Sequence, residues 1–121
     1  MRILLLSTSR GRRLTEAESG YFAQVLTLYQ AEWCPHSRKI RQKLTELGLE
    51  FLAKQVEAEP KDRKAMREQV GTDEIPVLVT GEGETIEGED EILAWLDKRF
   101  SPRPDAEQHR EQMLDKSGVP S

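Results

Sequence analysis

The spacing of apolar residues changes several times along the chain, and each change marks an element. Val25-Leu26-Thr27-Leu28-Tyr29 is β-branched and aromatic, is bounded by polar residues, and reads as a strand. From Ser37 to Leu47 the apolar residues Ile40, Leu44 and Leu47 recur at helical spacing, and Gly48 is placed to end that helix. Phe51 to Val56 is a second short strand. Pro60 can open a helix through about Val70, with Ala65, Met66 and Val70 for its buried side and Gly71 to stop it. Pro76 to Val79 is an apolar strand, Gly81-Glu82-Gly83 a turn, and Thr85-Ile86-Glu87 a short return strand. Glu89 to Phe100 is a helix with Ile92, Leu93, Leu96 and Phe100 on one side.

This order predicts an α/β domain with a mixed four-stranded sheet and about three helices. The first strand–helix–strand unit favours parallel neighbours joined by a right-handed crossover. The last two strands, separated by a short Gly-rich turn, favour an antiparallel hairpin. The ordered pattern runs over residues 24–100. Residues 1–23 hold the short run Ile3-Leu4-Leu5-Leu6 followed by Arg10, Arg12 and Arg13, and read as a disordered leader. That run is too short for a secretory signal. Residues 101–121, with Pro102, Pro104, Gly118 and Pro120, read as a polar tail in which a short helix over 105–115 has only Met113 and Leu114 as large apolar residues. Both extensions are expected to be flexible, and removing 1–20 or 104–121 to leave the melting temperature nearly unchanged.

Composition narrows the function classes. With Lys plus Arg at 18 and Asp plus Glu at 22, the net charge is −4, which disfavours nucleic acid as a partner. No apolar run approaches the length needed to span a bilayer, so no membrane role is expected and the cytoplasm is the expected location. The single cysteine, Cys34, excludes an intramolecular disulfide and any metal site built on two thiolates of one chain, and no metal is expected.

Cys34 is where chemistry concentrates. Trp33-Cys34-Pro35-His36-Ser37 joins the first strand to the first helix, and Pro35 suits a first helical turn because its missing N–H is not needed there. Cys34 then sits at the helix start, where unpaired N–H groups and the helix dipole favour a thiolate, the nucleophilic form of cysteine. Other residues read more simply. His36 is a solvent-facing residue of the first turn, Trp33 an apolar wall beside the thiol, Trp95 a core or helix-surface residue, and the acids from Glu82 to Glu91 mostly a solvated face.

Three motifs in this order resemble the thioredoxin superfamily on its glutaredoxin and glutathione S-transferase side. Cys34-Pro35-His36-Ser37 is similar to the Cys-Pro-x-Cys of glutaredoxins with serine in the second position, and Lys39 fits the start of transferase N-terminal domains. Glu74-Ile75-Pro76-Val77-Leu78 resembles the Thr-Val-Pro loop, and Gly88-Glu89-Asp90-Glu91-Ile92 resembles the start of the last helix in both families. The resemblance implies a thioredoxin-like fold over 24–100, with Cys34 as nucleophile, Pro76 cis, and Ile75 offering its backbone to the cysteinyl part of glutathione. It further implies that the Glu89 N–H binds the γ-glutamyl carboxylate and that Asp90 pairs with the ligand's amino group. Trp33, Pro35, Ser37 and Lys39 are implied as tuning or ligand contacts. Glutathione or another small thiol would be a co-substrate rather than a tightly bound cofactor, and glutathionylated or similarly thiolated proteins would be the protein partners.

The departures are specific. Ala31 stands where glutaredoxins usually carry a lysine, Glu32 adds negative charge, and Arg38 and Lys39 are the residues that could compensate. The residues after Phe100 are too few for the helical C-terminal domain of transferases, so full conjugating activity is not expected. The reading is therefore a monothiol, glutaredoxin-like oxidoreductase, with a transferase-like glutathione-binding module as the alternative. Iron–sulfur carriage ranks last, because proteins of that type usually have Cys-Gly-Phe-Ser. A helix-start thiolate predicts that iodoacetamide labels Cys34 faster at neutral pH than it labels free cysteine. A slower rate would instead fit a structural cysteine.

Overall fold

A computed structural model describes residues 25–116. The expected leader, and residues 117–121 of the tail, lie outside these. The order of elements is β1 (Leu26–Gln30), α1 (Pro35–Leu47), β2 (Phe51–Gln55), a 3-10 turn (Pro60–Asp62), α2 (Lys64–Val70), β3 (Val77–Val79), β4 (Thr85–Glu87), α3 (Glu89–Arg99) and α4 (Ala106–Lys116). The sheet has the order β2-β1-β3-β4. β1 runs parallel to β2 and antiparallel to β3, and β3 and β4 form the expected hairpin.

Alternation along β1 assigns its two faces. Leu26 and Leu28, with Leu78 of β3, pack against Ile40, Leu44 and Leu47 of α1 and Ile92 and Leu96 of α3 in the main core. Tyr29 and Val77 face the other way, onto Met66 of α2, with Val56, Val70 and Ile75 around them. Of the residues expected to line the helices, Ile40, Leu44, Leu47, Met66, Ile92 and Leu96 are buried, Val70, Leu93 and Phe100 are half-buried, and Ala65 is exposed. Gly48 ends α1 in the left-handed region at φ 70°, where a side chain would be strained.

The helix expected from Pro60 to Val70 is divided in two, with the break at Arg63 (φ −89°, ψ 52°). Arg63 is only 3% exposed, so its guanidinium must find partners inside. Its Nε donates to the Glu57 carbonyl at 2.7 Å, Nη1 to Asp73 at 2.8 Å and Nη2 to Ala58 at 3.0 Å. The side chain thus ties the segment after β2 to the segment entering β3.

The tail contributes a fourth helix, packed on α1. Ala106 is buried, the Arg103 N–H donates to the Glu46 carbonyl at 2.9 Å, and Arg110 Nη2 meets Glu46 Oε1 at 2.7 Å. Glu46 is 6% exposed and also accepts from Gln42 Nε2 at 2.9 Å. Burial pushes its carboxyl up, but the hydrogen bonds from Arg110 and Gln42 and the Arg110 charge outweigh burial and hold it below the usual range. Residues 103–110 of the tail therefore touch α1 through Glu46, a contact that the sequence pattern did not indicate.

A carboxyl held low in the folded state stabilises the fold above its unfolded titration range, and the contribution is lost as pH falls through the folded one. Acidification from pH 5 to 3 is therefore expected to narrow the stability gap between the wild type and Glu46→Gln. At neutral pH, Glu46→Ala should lower the melting temperature by about 4–8 °C, the change that about 1 kcal/mol brings in a domain of this size. Calorimetry across that pH range checks both.

Candidate functional site

Antiparallel pairing of β1 with β3 decides where the site can be. Tyr29 pairs with Val77, so the chain leaving β1 and the chain entering β3 lie at one end of the sheet. Cys34 is on the first of these segments and Ile75-Pro76 on the second. The Ile75–Pro76 bond is cis and Pro76 is buried. The Pro76 carbonyl accepts from the Gly88 N–H at 3.1 Å, which brings the start of α3 to the same place. Gly88 makes that turn at φ 92°, a conformation that favours glycine.

Cys34 is the N-cap of α1, with extended backbone (φ −78°, ψ 118°) and Pro35 as the first helical residue. Its Sγ accepts from the Ser37 N–H at 3.4 Å, so the thiol takes the place that a serine or aspartate oxygen occupies at other helix starts. The residue is 5% exposed. Ser37 is fully buried, and its Oγ has no hydrogen-bond partner among the described residues. Trp33 is 64% exposed beside the thiol, and Pro35 is exposed.

A cleft opens next to this helix start, lined by His36, Ile75, Pro76, Gly88, Glu89, Asp90 and Glu91. It joins all three motifs: the first turn of α1, the cis-proline loop and the first turn of α3. Asp90 is exposed on the cleft. Glu89, the first residue of α3, turns its carboxylate to α1: Oε1 lies 2.6 Å from His36 Nδ1 and Oε2 lies 3.4 Å from Lys39 Nζ. The hydrogen bond from His36 holds the Glu89 carboxyl below the usual range; partial burial opposes this, and Lys39 adds to it by hydrogen bond and charge.

The compensating residues named from sequence are engaged elsewhere. Lys39 is on Glu89, and Arg38 lines a separate groove between α1 and α4. Glu32 is paired with Arg41 Nη2 at 3.3 Å, and Ala31 is buried, its carbonyl accepting from the Cys34 N–H at 3.1 Å. Among the described residues no cluster of His, Cys, Asp and Glu could hold a metal ion. No described helix is long and apolar enough to cross a membrane.

Sequence reasoning missed the His36–Glu89–Lys39 bridge and the role of Arg63. The only available signal was indirect: His36 and Lys39 lie three apart, hence on one face of a helix. Their common partner is on another element.

A thioredoxin-like sheet with a cysteine capping the first helix and a cis-proline entering β3 at the same sheet end defines a class. The sequence matches the model of the glutathione S-transferase N-terminal domain over residues 28–104, and the chain belongs to that family. No curated protein matches the sequence. A rice glutathione S-transferase solved with glutathione is 21% identical, with a TM-score of 0.56 over 76% of this chain and 44% of that one. Glutaredoxin 2 of Salmonella typhimurium, also solved with glutathione, is 14% identical, with a TM-score of 0.55 over 77% of this chain and 45% of that one. A wheat glutaredoxin is 21% identical, with a TM-score of 0.52 over 69% of this chain and 79% of that one. At these identities the likeness establishes the fold, and the chain spans less than half the length of the rice transferase.

Arg63→Met removes three charged hydrogen bonds and leaves the carbonyls of Glu57, Ala58 and Asp73 short of a donor. The expected loss is on the order of 3 kcal/mol in urea unfolding. Arg63→Lys is expected to recover only part of it, because an ammonium cannot reproduce the planar fork.

Proposed function

We propose that this protein is a monothiol thiol–disulfide oxidoreductase that acts on mixed disulfides of glutathione, or of a similar small thiol, through Cys34. The observation that carries the reading is Cys34 Sγ at the N-cap of α1, accepting from the Ser37 N–H, at the sheet end that also holds the cis-proline loop. An N–H donor and a helix start both interact favourably with negative sulfur, the form that attacks a disulfide.

In the proposed reaction the Cys34 thiolate attacks the glutathione sulfur of a glutathionylated protein. The protein–glutathione S–S bond breaks, a Cys34–glutathione bond forms, and the protein leaves as a thiolate that takes up a proton. A second glutathione thiolate then attacks the glutathione sulfur on Cys34. Glutathione disulfide departs and the Cys34 thiolate is restored. One thiol per chain is enough for this route. Ile75 offers its backbone to the cysteinyl part, the Glu89 N–H takes the γ-glutamyl carboxylate, and Asp90 takes the ammonium in a charge-assisted contact. Trp33 forms an exposed apolar wall at the thiol. A lone thiol doing this work suits a reducing compartment, the cytoplasm.

A second reading, a glutathione-binding module with little chemistry of its own, is favoured by the 5% exposure of Cys34 and by Lys39 being committed to Glu89.

Incubation with oxidised glutathione, read by intact mass, separates the two. The wild type is expected to gain one glutathione and Cys34→Ser none. Binding without an adduct would support the module, and neither binding nor adduct would overturn both readings. Asp90→Ala is expected to weaken glutathione binding roughly five- to 150-fold, the effect of losing about 1–3 kcal/mol, with Glu91→Ala as the near-neutral control in calorimetric titration. Equal losses for the two variants would point to a general charge effect.

A further inference from the structure

Glu89 begins α3, yet its carboxylate points at α1. It is 16% exposed, whereas His36 and Lys39, which meet it, are 62% and 64% exposed. His36 is two residues beyond Cys34, and Glu89 directly follows Gly88, whose N–H is bound to the Pro76 carbonyl. A single carboxylate therefore links the helix carrying the thiol to the junction carrying the cis-proline. Elsewhere α1 and α3 meet through Ile40, Leu44, Ile92 and Leu96 in the core and through Lys43 and Asp97, which are 2.9 Å apart. The Glu89 bridge is the contact at the cleft.

We propose that Glu89 is a positioning residue for Cys34: through His36 and Lys39 its carboxylate sets the opening between the thiol and the start of α3, and so the rate of disulfide exchange there. This rests on the reading of Cys34 as the exchanging thiol. The carboxylate acts on α1, while the Glu89 backbone N–H stays available to the ligand.

The bridge also makes the opening depend on pH. The charged groups around it are His36 and Lys39 on α1 and Asp90 and Glu91 on the first turn of α3; from the proline loop the cleft receives Ile75 and Pro76, which carry no charge. The bridge is strongest with Glu89 ionised and His36 protonated. Because His36 holds the Glu89 carboxyl low, the bridge persists into mild acid and is lost only as pH falls through that depressed range.

The test compares wild type, His36→Asn, Glu89→Gln and the double variant. The first readout is the rate at which oxidised glutathione forms the Cys34 adduct, a step in which its S–S bond breaks, the Cys34–glutathione bond forms and glutathione leaves as thiolate. Each single variant is expected to be slower by about tenfold at pH 6, and the double variant no slower than the slower single, the signature of a coupled pair. The second readout needs no ligand: amide NMR signals of Cys34, His36 and Ser37 and of residues 88–90, followed from neutral pH into acid, should move together in the wild type, and the second set should stop moving in Glu89→Gln. An unchanged rate in Glu89→Gln, additive losses in the double variant, or α3 amides that ignore the titration would each overturn the proposal. A wild type that forms no adduct removes the exchange reading itself. The ligand-free spectra then decide the positioning alone: joint titration supports it and independent titration overturns it.

Discussion

Everything at the cleft depends on the antiparallel pairing of β1 with β3. Leu28 faces Leu78 and Tyr29 faces Val77, so the exit from β1 and the entry to β3 share one end of the sheet. A slip by one residue would turn a fully buried leucine, Leu28 or Leu78, away from α1 and α3 to the face where Tyr29 and Val77 pack on Met66, and would disrupt both cores, which makes this register costly to change. Burying a leucine side chain is worth about 1.5–3 kcal/mol, so the leucines of this seam outweigh any one polar contact at the site. The cysteine helix start and the proline loop are brought together by apolar packing on the far side of the strands that carry them.

The polar contacts then set the details. Arg63 and Glu46 are both nearly buried, and each is fully partnered: Arg63 by three carbonyls, Glu46 by Arg110 and Gln42. In a chain with only 36% apolar residues, such groups complete loops and termini that the core does not reach. Arg63 anchors the segment that leads to Ile75-Pro76, and Glu46 anchors the helix beyond residue 104. Glu89 does the same at the cleft, where the bridge is more exposed and therefore more easily broken.

Family membership and site geometry bear on function differently. The transferase N-terminal domain match and the glutaredoxin neighbours share one fold, and the fold alone does not choose between conjugation, exchange and plain binding. The choice falls to the residues around Cys34. The proposal of one-thiol exchange rests on the capped sulfur and on the serine at the fourth motif position. With Lys39 and Arg41 paired to Glu89 and Glu32, Asp90 and Glu91 are the other acidic residues that line the cleft.

Local signals in the chain determined most of the elements. β-branched runs bounded by polar residues set the strands, helical spacing of Ile40, Leu44 and Leu47 set α1, and Gly48 and Gly71 set two helix ends. The cysteine–proline pair set the helix start, because the cap preference of a short side chain and the fixed φ of proline act within one turn. Local signals failed where a distant group intervened. Periodicity extended one helix across Arg63, whose three carbonyl partners divide it in the folded chain. Composition made the tail look independent of the domain, although Arg110 and the Arg103 amide find Glu46. His36 read as a solvent-facing residue, and it is exposed, but its partner lies on α3. Propensity and capping depend on neighbours within a few residues and so can be read from sequence. The pairing of a buried or bridging charge depends on which elements become adjacent, and only the tertiary packing of the sheet and helices decides that.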